Sequence, residues 1–233
     1  MTIDETPGST QHPRGWQERA VLRDSVPPAL LGLFLAVWTL LALSPRYRAD
    51  WLLENVLVVL AVPVLVATYR WLRFSNLAYG ALFVFLVLHE IGAHYTYAEV
   101  PYDAWSKVWL GISIDQVLGF PRNEYDRFVH FIYGVLLTPM VFELIDARAR
   151  PQGAWRWVLP VTFVMATSVL FELVEWFAAV HFGGDLGVAY LGTQGDVWDA
   201  QSDMGLASLG SMMAVLALRL GRAAWCPEPG RPP

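Results

Sequence analysis

With 233 residues, 55% hydrophobic, 14% aromatic and only 16% charged, the chain is too apolar for an ordinary soluble domain and falls in the membrane class. Its net charge of -5 excludes the basic footprint of a nucleic-acid-binding protein, and its one cysteine, Cys226, excludes an intrachain disulfide and a cysteine metal cluster.

The opening residues, Met1 to Ala20, carry Asp4, Glu5 and Glu18 around no apolar core, so no cleavable signal peptide is expected. Residues 1–25 read as a disordered cytoplasmic tail. Six apolar runs follow, each near the roughly 20 residues that a bilayer requires. They are Val26–Leu43 with Pro27 and Pro28 in its first turn, Leu52–Tyr69 with Pro63 inside it, about Phe74 to His94, Phe128–Ile145, Trp157–Val180 and Met204–Leu220. The first two carry no evident chemistry. The expectation is an all-α polytopic membrane domain over residues 26–220, with about six transmembrane helices, followed by a cytoplasmic tail over 221–233.

Basic residues set the orientation. Arg14, Arg19, Arg23, Arg70, Arg73, Arg148, Arg150, Arg156, Arg219, Arg222 and Arg231 fall on one side, eleven in all. Arg46, Arg48, Lys107, Arg122 and Arg127 make five on the other. Both termini are therefore expected in the cytoplasm of an inner-membrane protein, with Tyr95–Arg127 and His181–Asp203 outside. The first of these connections holds Tyr95, Tyr97, Tyr102, Trp105, Trp109 and Tyr125, a density of aromatics that suits the headgroup layer and an interfacial lid.

The polar residues concentrate at the outer ends of the later spans. Leu88-His89-Glu90-Ile91-Gly92-Ala93-His94 closes a run that is otherwise hydrocarbon, and buried ionisable groups there need partners. At about 100° per residue Glu90 and His94 share a helix face, while His89 and His94 diverge by roughly 140°. That spacing is one residue too long for the H-E-x-x-H zinc-protease helix. The fourth span opens with Asp126, Arg127 and His130, the fifth carries Glu172 and Glu175 about two turns before its exit, and the sixth follows Asp196, Asp199 and Asp203. All four deliver ionisable groups to one depth, which predicts a single outward-opening cavity of three histidines and at least five carboxylates. Glu172 and Glu175, at i and i+3, repel each other inside a membrane unless a cation, a proton or Arg127 holds them. Glu143 reads as a carboxylate at the cytoplasmic end of its helix beside the next loop, Asp185 as a solvated loop residue, and Met204–Met213 as close helix packing.

Three chemistries fit such a cavity. A divalent transition metal (zinc, iron or manganese) suits His89, Glu90, His94, His130, Glu172, Glu175, Asp199 and Asp203 as imidazole and carboxylate ligands from facing helices. A metal-free hydrolase or transferase would use His130 or His94 as base, positioned by Asp126 or Glu90, with Glu175 in the acid–base set and Arg127 reading an anionic group such as phosphate. Proton-coupled transport is the third, because intramembrane carboxylates and histidines also build proton relays. Neither a G-x-S-x-G nucleophile elbow nor a P-loop is present, and no inverted repeat is visible. The plainest alternative is that these groups only fix helix packing.

Leu88-His-Glu-Ile-Gly-Ala-His-Tyr-Thr-Tyr-Ala-Glu-Val-Pro-Tyr102, Asn123-Glu-Tyr-Asp-Arg-Phe-Val-His-Phe131, Phe171-Glu-Leu-Val-Glu-Trp176 and Gly192-Thr-Gln-Gly-Asp-Val-Trp-Asp-Ala-Gln-Ser-Asp-Met204 together resemble the YjdF-type bacterial inner-membrane family, a domain of unknown function. The resemblance implies a six-helix or similar inner-membrane protein and brings no established activity. A weaker similarity is to VanZ-like membrane proteins. Their D-K-x-x-H-F, E-x-x-Q and D-x-x-x-N elements are approximated by Asp126-Arg127-x-x-His130-Phe131, Glu172-x-x-Glu175 and Asp199-x-x-x-Asp203, with Arg for Lys, Glu for Gln and Asp for Asn. The P-S-G-H element of membrane lipid phosphatases is absent. The leading expectation is a metal-assisted or acid–base enzyme acting on a lipid-like or phosphate-bearing amphiphile, with membrane lipids around it. The alternatives are a small ion- or proton-coupled transporter and a non-catalytic assembly factor.

Overall fold

The computed structural model describes residues 14–182, 184, 191 and 193–224. Most of the two tails, and Asp185, lie outside the described residues. The described chain is helical throughout, with no strand: α1 (Arg14–Ala42), α2 (Arg48–Thr68), α3 (Asn76–Tyr95), a 3-10 turn (Tyr97–Glu99), α4 (Tyr102–Leu110), α5 (Ile114–Leu118), α6 (Tyr125–Arg148), α7 (Trp155–Phe182) and α8 (Asp199–Ala224). Among the described residues six helices are long and apolar enough to cross a membrane: α1 from Ser25, α2, α3, α6, α7 to His181 and α8 to Gly221. Only helices satisfy every backbone amide without water, which is why these apolar runs take no other form. Pro63, Pro139 and Pro160 sit inside them.

α1, α2 and α3 form one layer, α6, α7 and α8 a second, and the α3–α6 contact joins the two. The tightest contact is α6 with α8. A Cβ on Gly134 would collide with the Ala207 carbonyl oxygen, and one on Gly210 with the Phe131 carbonyl oxygen, so both positions accept only glycine at this separation. Thr138 and Ser211 close the same seam with a 2.7 Å hydroxyl contact. This bears out close packing in the Met204–Met213 stretch, through small residues that let backbones meet. Along α8 the buried positions run Asp199, Asp203, Ala207, Ser211 and Ala214, so the seam and the first two carboxylates share one face.

Several helices start about one turn earlier than the apolar runs: α2 at Arg48, α6 at Tyr125 and α8 at Asp199. Asp50, Asp126, Asp199 and Asp203 are therefore helical residues with fixed directions. Glu143 does more than end a helix. Its carboxylate accepts from the Ser75 amide at 2.7 Å and the Ser75 hydroxyl at 2.5 Å, tying α6 to the N-cap of α3. The connection from Thr96 to Glu124 is a fastened unit: Tyr102 donates to Asp115 at 2.6 Å, Ser113 donates to Asp103 at 2.8 Å and Lys107 pairs with Asp103 at 2.6 Å. Those bonds, that of Lys107 foremost, hold the Asp103 carboxyl down at about 2. Its outward side is apolar, with Val108 79% and Trp109 81% exposed.

The seam gives a direct expectation. Gly134→Ala or Gly210→Ala should destabilise the bundle by about 1–3 kcal/mol, the usual cost of overpacking. Gly205→Ala on the same helix meets nothing within 4 Å and should leave thermal unfolding in detergent unchanged or slightly raised. Equal melting of all three variants would contradict the seam.

Candidate functional site

The ionisable side chains gather where α2, α6 and α8 begin and α3 and α7 end. At the centre, α6 presents Asp126 and His130 one turn apart, and the close approach of α8 sets Asp203 against them. One ligand atom from each of Asp126, His130 and Asp203 lies within 4.8 Å of the other two. His130 Nε2 is 3.6 Å from Asp126 Oδ1 and 3.6 Å from Glu172 Oε1 of α7. The imidazole is 8% exposed and stands edge-on to Phe171 at 5.7 Å, which fixes its plane. Glu172 Oε1 and Asp203 Oδ1 are buried without a hydrogen bond, and Glu175 lies beside Glu172. Two carboxylates and one imidazole from α6 and α8 thus converge at one point, with Glu172 of α7 against the imidazole. That donor set fits a borderline-to-hard divalent ion such as manganese, iron or zinc.

Two arginines border this group, and their charge is already used. Arg122 donates to Asp199 and, at 2.5 Å, to the Thr193 carbonyl, and its Nε is 3.5 Å from Glu124. Burial works against the charge of Arg122, but the Asp199 bond and the charges of Asp199, Glu124 and Asp196 outweigh it and raise its pKa. Arg127 pairs with Asp196 and, at 3.1 Å, with Glu124. These bonds clamp residues 193–199 onto residues 122–127. Among the described residues Arg127 pairs with Glu124 and Asp196, and no ion pair joins it to Glu172 or Glu175. Asp199 Oδ1 serves Arg122 and lies 3.7 Å from Arg127, and Asp199 is not one of the three residues whose ligand atoms converge.

The histidines divide. His130 is in the cluster; His89 and His94 are not. His89 Nδ1 lies 2.5 Å from the Tyr97 hydroxyl, and His89 Nε2 donates to the Glu54 carbonyl at 3.3 Å, so both ring nitrogens are engaged and the ring acts as a spacer between α3 and α2. His94 Nδ1 bonds the Leu41 carbonyl of α1 at 2.8 Å, with its ring on Tyr95. It joins α1 to α3, and its reading as base or ligand is not supported by this position. Glu90, fully buried, faces α2, where Asn55 Nδ2 lies 3.5 Å from its Oε2. The one cavity of three histidines becomes a His130 cluster and a separate α2–α3 polar layer.

α2 contributes polar groups that its apolar run conceals. Asp50, Glu54 and Asn55 are all buried. Thr96 donates to Asp50 at 2.5 Å, and the Trp38 indole of α1 donates to Asn55 at 2.5 Å. The available signal was the one used for Glu90: Glu54-Asn55 interrupts an apolar run. Tyr97 links the two layers. Gly92 makes room for its ring, since a Cβ there would come within 2.7 Å of it. Burial first, then the charges of Glu54, Asp126, Tyr125 and Glu175, push the Tyr97 phenol well above its ordinary range.

Residues 26–223, covering all six apolar helices and every residue of both polar layers, match the family described as "Predicted membrane protein (DUF2238)". The chain belongs to this family. It is also similar to the "Inner membrane protein YjdF" of Escherichia coli (strain K12), with 34% identity over 180 residues, covering 76% of this chain and 80% of that protein. No solved structure matches. The chain is thus a multi-pass inner-membrane protein, and neither description carries an activity.

Proposed function

We propose that Asp126, His130 and Asp203, with Glu172 beside them, hold a divalent transition metal in a membrane enzyme acting on a lipid-like amphiphile. The observation that carries this reading is the convergence of three ligand atoms within 4.8 Å of one another in a buried setting. Charge supports it. Asp126, Glu172, Glu175 and Asp203 have no Arg or Lys within salt-bridge distance among the described residues, whereas the neighbouring Asp196 and Asp199 do. A buried carboxylate excess calls for a cation or protons. A metal there would act as Lewis acid or lower the pKa of bound water. Glu172, 3.6 Å from His130, would be the proton-transfer group, with Glu175 behind it. Because the arginines are spent on the protein's own carboxylates, the metal rather than Arg127 would meet an anionic substrate group.

In the same reading the site end of the bundle faces outward and both termini are cytoplasmic, in keeping with the eleven-to-five distribution of basic residues. The apolar outward side of α4 and α5 then lies in the headgroup layer and borders the route for an amphiphile. In a Cys226→Ser background, a cysteine at Asp115 should react with an impermeant thiol reagent applied from outside, and one at Gln152 should not. The reverse pattern overturns the orientation.

The metal assignment is tested on untagged protein in mild detergent, supplemented with manganese, iron or zinc. Near-stoichiometric metal by mass spectrometry, a raised melting temperature and loss of both in His130→Ala are expected. His94→Ala should keep its metal. Sub-stoichiometric metal in the native protein, with no shift in melting, rejects the centre. Lipid turnover that disappears in His130→Ala supports the enzyme, whereas pH-dependent uptake into proteoliposomes without turnover replaces it with transport.

A further inference from the structure

We propose that Glu54 of α2 and Glu90 of α3, two buried carboxyls outside the Asp126–His130–Asp203 ligand set, each bind a proton. Glu54 is 3% exposed and Glu90 0%. Glu54 Oε2 and Glu90 Oε1 are both buried without a hydrogen-bond partner.

The groups around them come from every packed element. α2 adds Asp50 and Asn55, while its Arg48 turns away to the Ala42 and Leu43 carbonyls and the Trp51 ring. α3 adds His89, whose two nitrogens are engaged. The following turn adds Thr96 and Tyr97, with Glu99 near Asp50. α1 contributes the Trp38 indole through Asn55, α6 the charge of Asp126 and α7 that of Glu175. Every charged neighbour named is a carboxylate, and no Arg or Lys pairs with Glu54 or Glu90 among the described residues. Two carboxylates in this setting require a positive partner.

The donors present decide which. The Trp51 indole N–H, on a residue 6% exposed, faces Glu90 without closing a hydrogen bond, and Asn55 Nδ2 stands 3.5 Å from Glu90 Oε2. A bare metal ion needs electron-pair donors on all sides and would be repelled by these N–H groups. Nor do three ligand atoms converge here as they do at His130; among the described residues that happens only there. A protonated carboxyl fits the mixture, since it offers one donor to an unpaired oxygen and still accepts from N–H.

Infrared spectroscopy of the full chain in lipid tests it. At neutral pH the native protein should show the carbonyl stretch of protonated carboxylic acid, shifting in heavy water. Part of that band should vanish in Glu54→Gln and a further part in Glu90→Gln, while Glu143→Gln leaves it intact. Glutamine mimics a neutral carboxyl, so both variants should keep the native melting temperature. Absence of the band in the native protein, or its survival in both variants, overturns the proposal. So does collapse of both glutamine variants, which would mean that the negative charge itself is bound; stabilisation of the native protein by sodium over potassium or choline chloride would then identify a cation.

Discussion

The bundle depends on how closely α6 and α8 approach at Gly134 and Gly210. A helix pair held apart by ordinary side chains has axes some 8–10 Å apart. Here the backbone of one helix fills the place a Cβ would take on the other, and the Thr138–Ser211 contact holds the register. The consequence appears about one turn from the seam. Asp203 and His130 lie on the same faces as Ala207 and Gly134, so the separation that glycine permits is also what brings carboxylate to imidazole. No hydrophobic force drives helices together in lipid, so small residues and polar contacts must do it. A change in the seam should therefore register in the site before it registers in the rest of the fold.

Charge sorts into three tiers. At the rim, Arg122 and Arg127 are matched by Glu124, Asp196 and Asp199, a network that fixes the start of α8. Inside it, Asp126, Glu172, Glu175 and Asp203 share one imidazole. Toward α2, Asp50, Glu54 and Glu90 have hydroxyl, amide and indole neighbours and, among the described residues, no paired cation. Removing one partner from a buried ion pair costs several kcal/mol, so the rim is committed to structure. The inner groups, which lack such partners, are the ones left for chemistry.

Much of this was legible in the sequence because hydropathy and the rarity of charge inside a membrane are strong constraints. The six spans and the shared depth of His130, Glu172 and Asp203 follow from them. Helix starts are less legible because charged residues end an apolar run in the sequence; the start of α8 is tied down by Arg122 on Asp199 and Arg127 on Asp196, partners about seventy residues away. Depth alone groups His89 and His94 with His130, because it carries no rotation about the helix. Their faces turn to Glu54 and Leu41, on helices that were credited with no chemistry. The role of Arg122 is not legible in the sequence, because a loop arginine just before a span reads as solvated until Asp199 is set beside it.

The central claim is that the His130 imidazole and the Asp126 and Asp203 carboxylates, from α6 and α8, hold a metal, with Glu172 of α7 beside them. X-ray absorption at the metal edge of manganese- or zinc-loaded protein tests it most directly. The account predicts a shell of oxygen ligands with a single imidazole, whose outer-shell scattering disappears in His130→Gln and persists in His89→Gln and His94→Gln. A shell with two or more imidazoles, or one unchanged by His130→Gln, would contradict it.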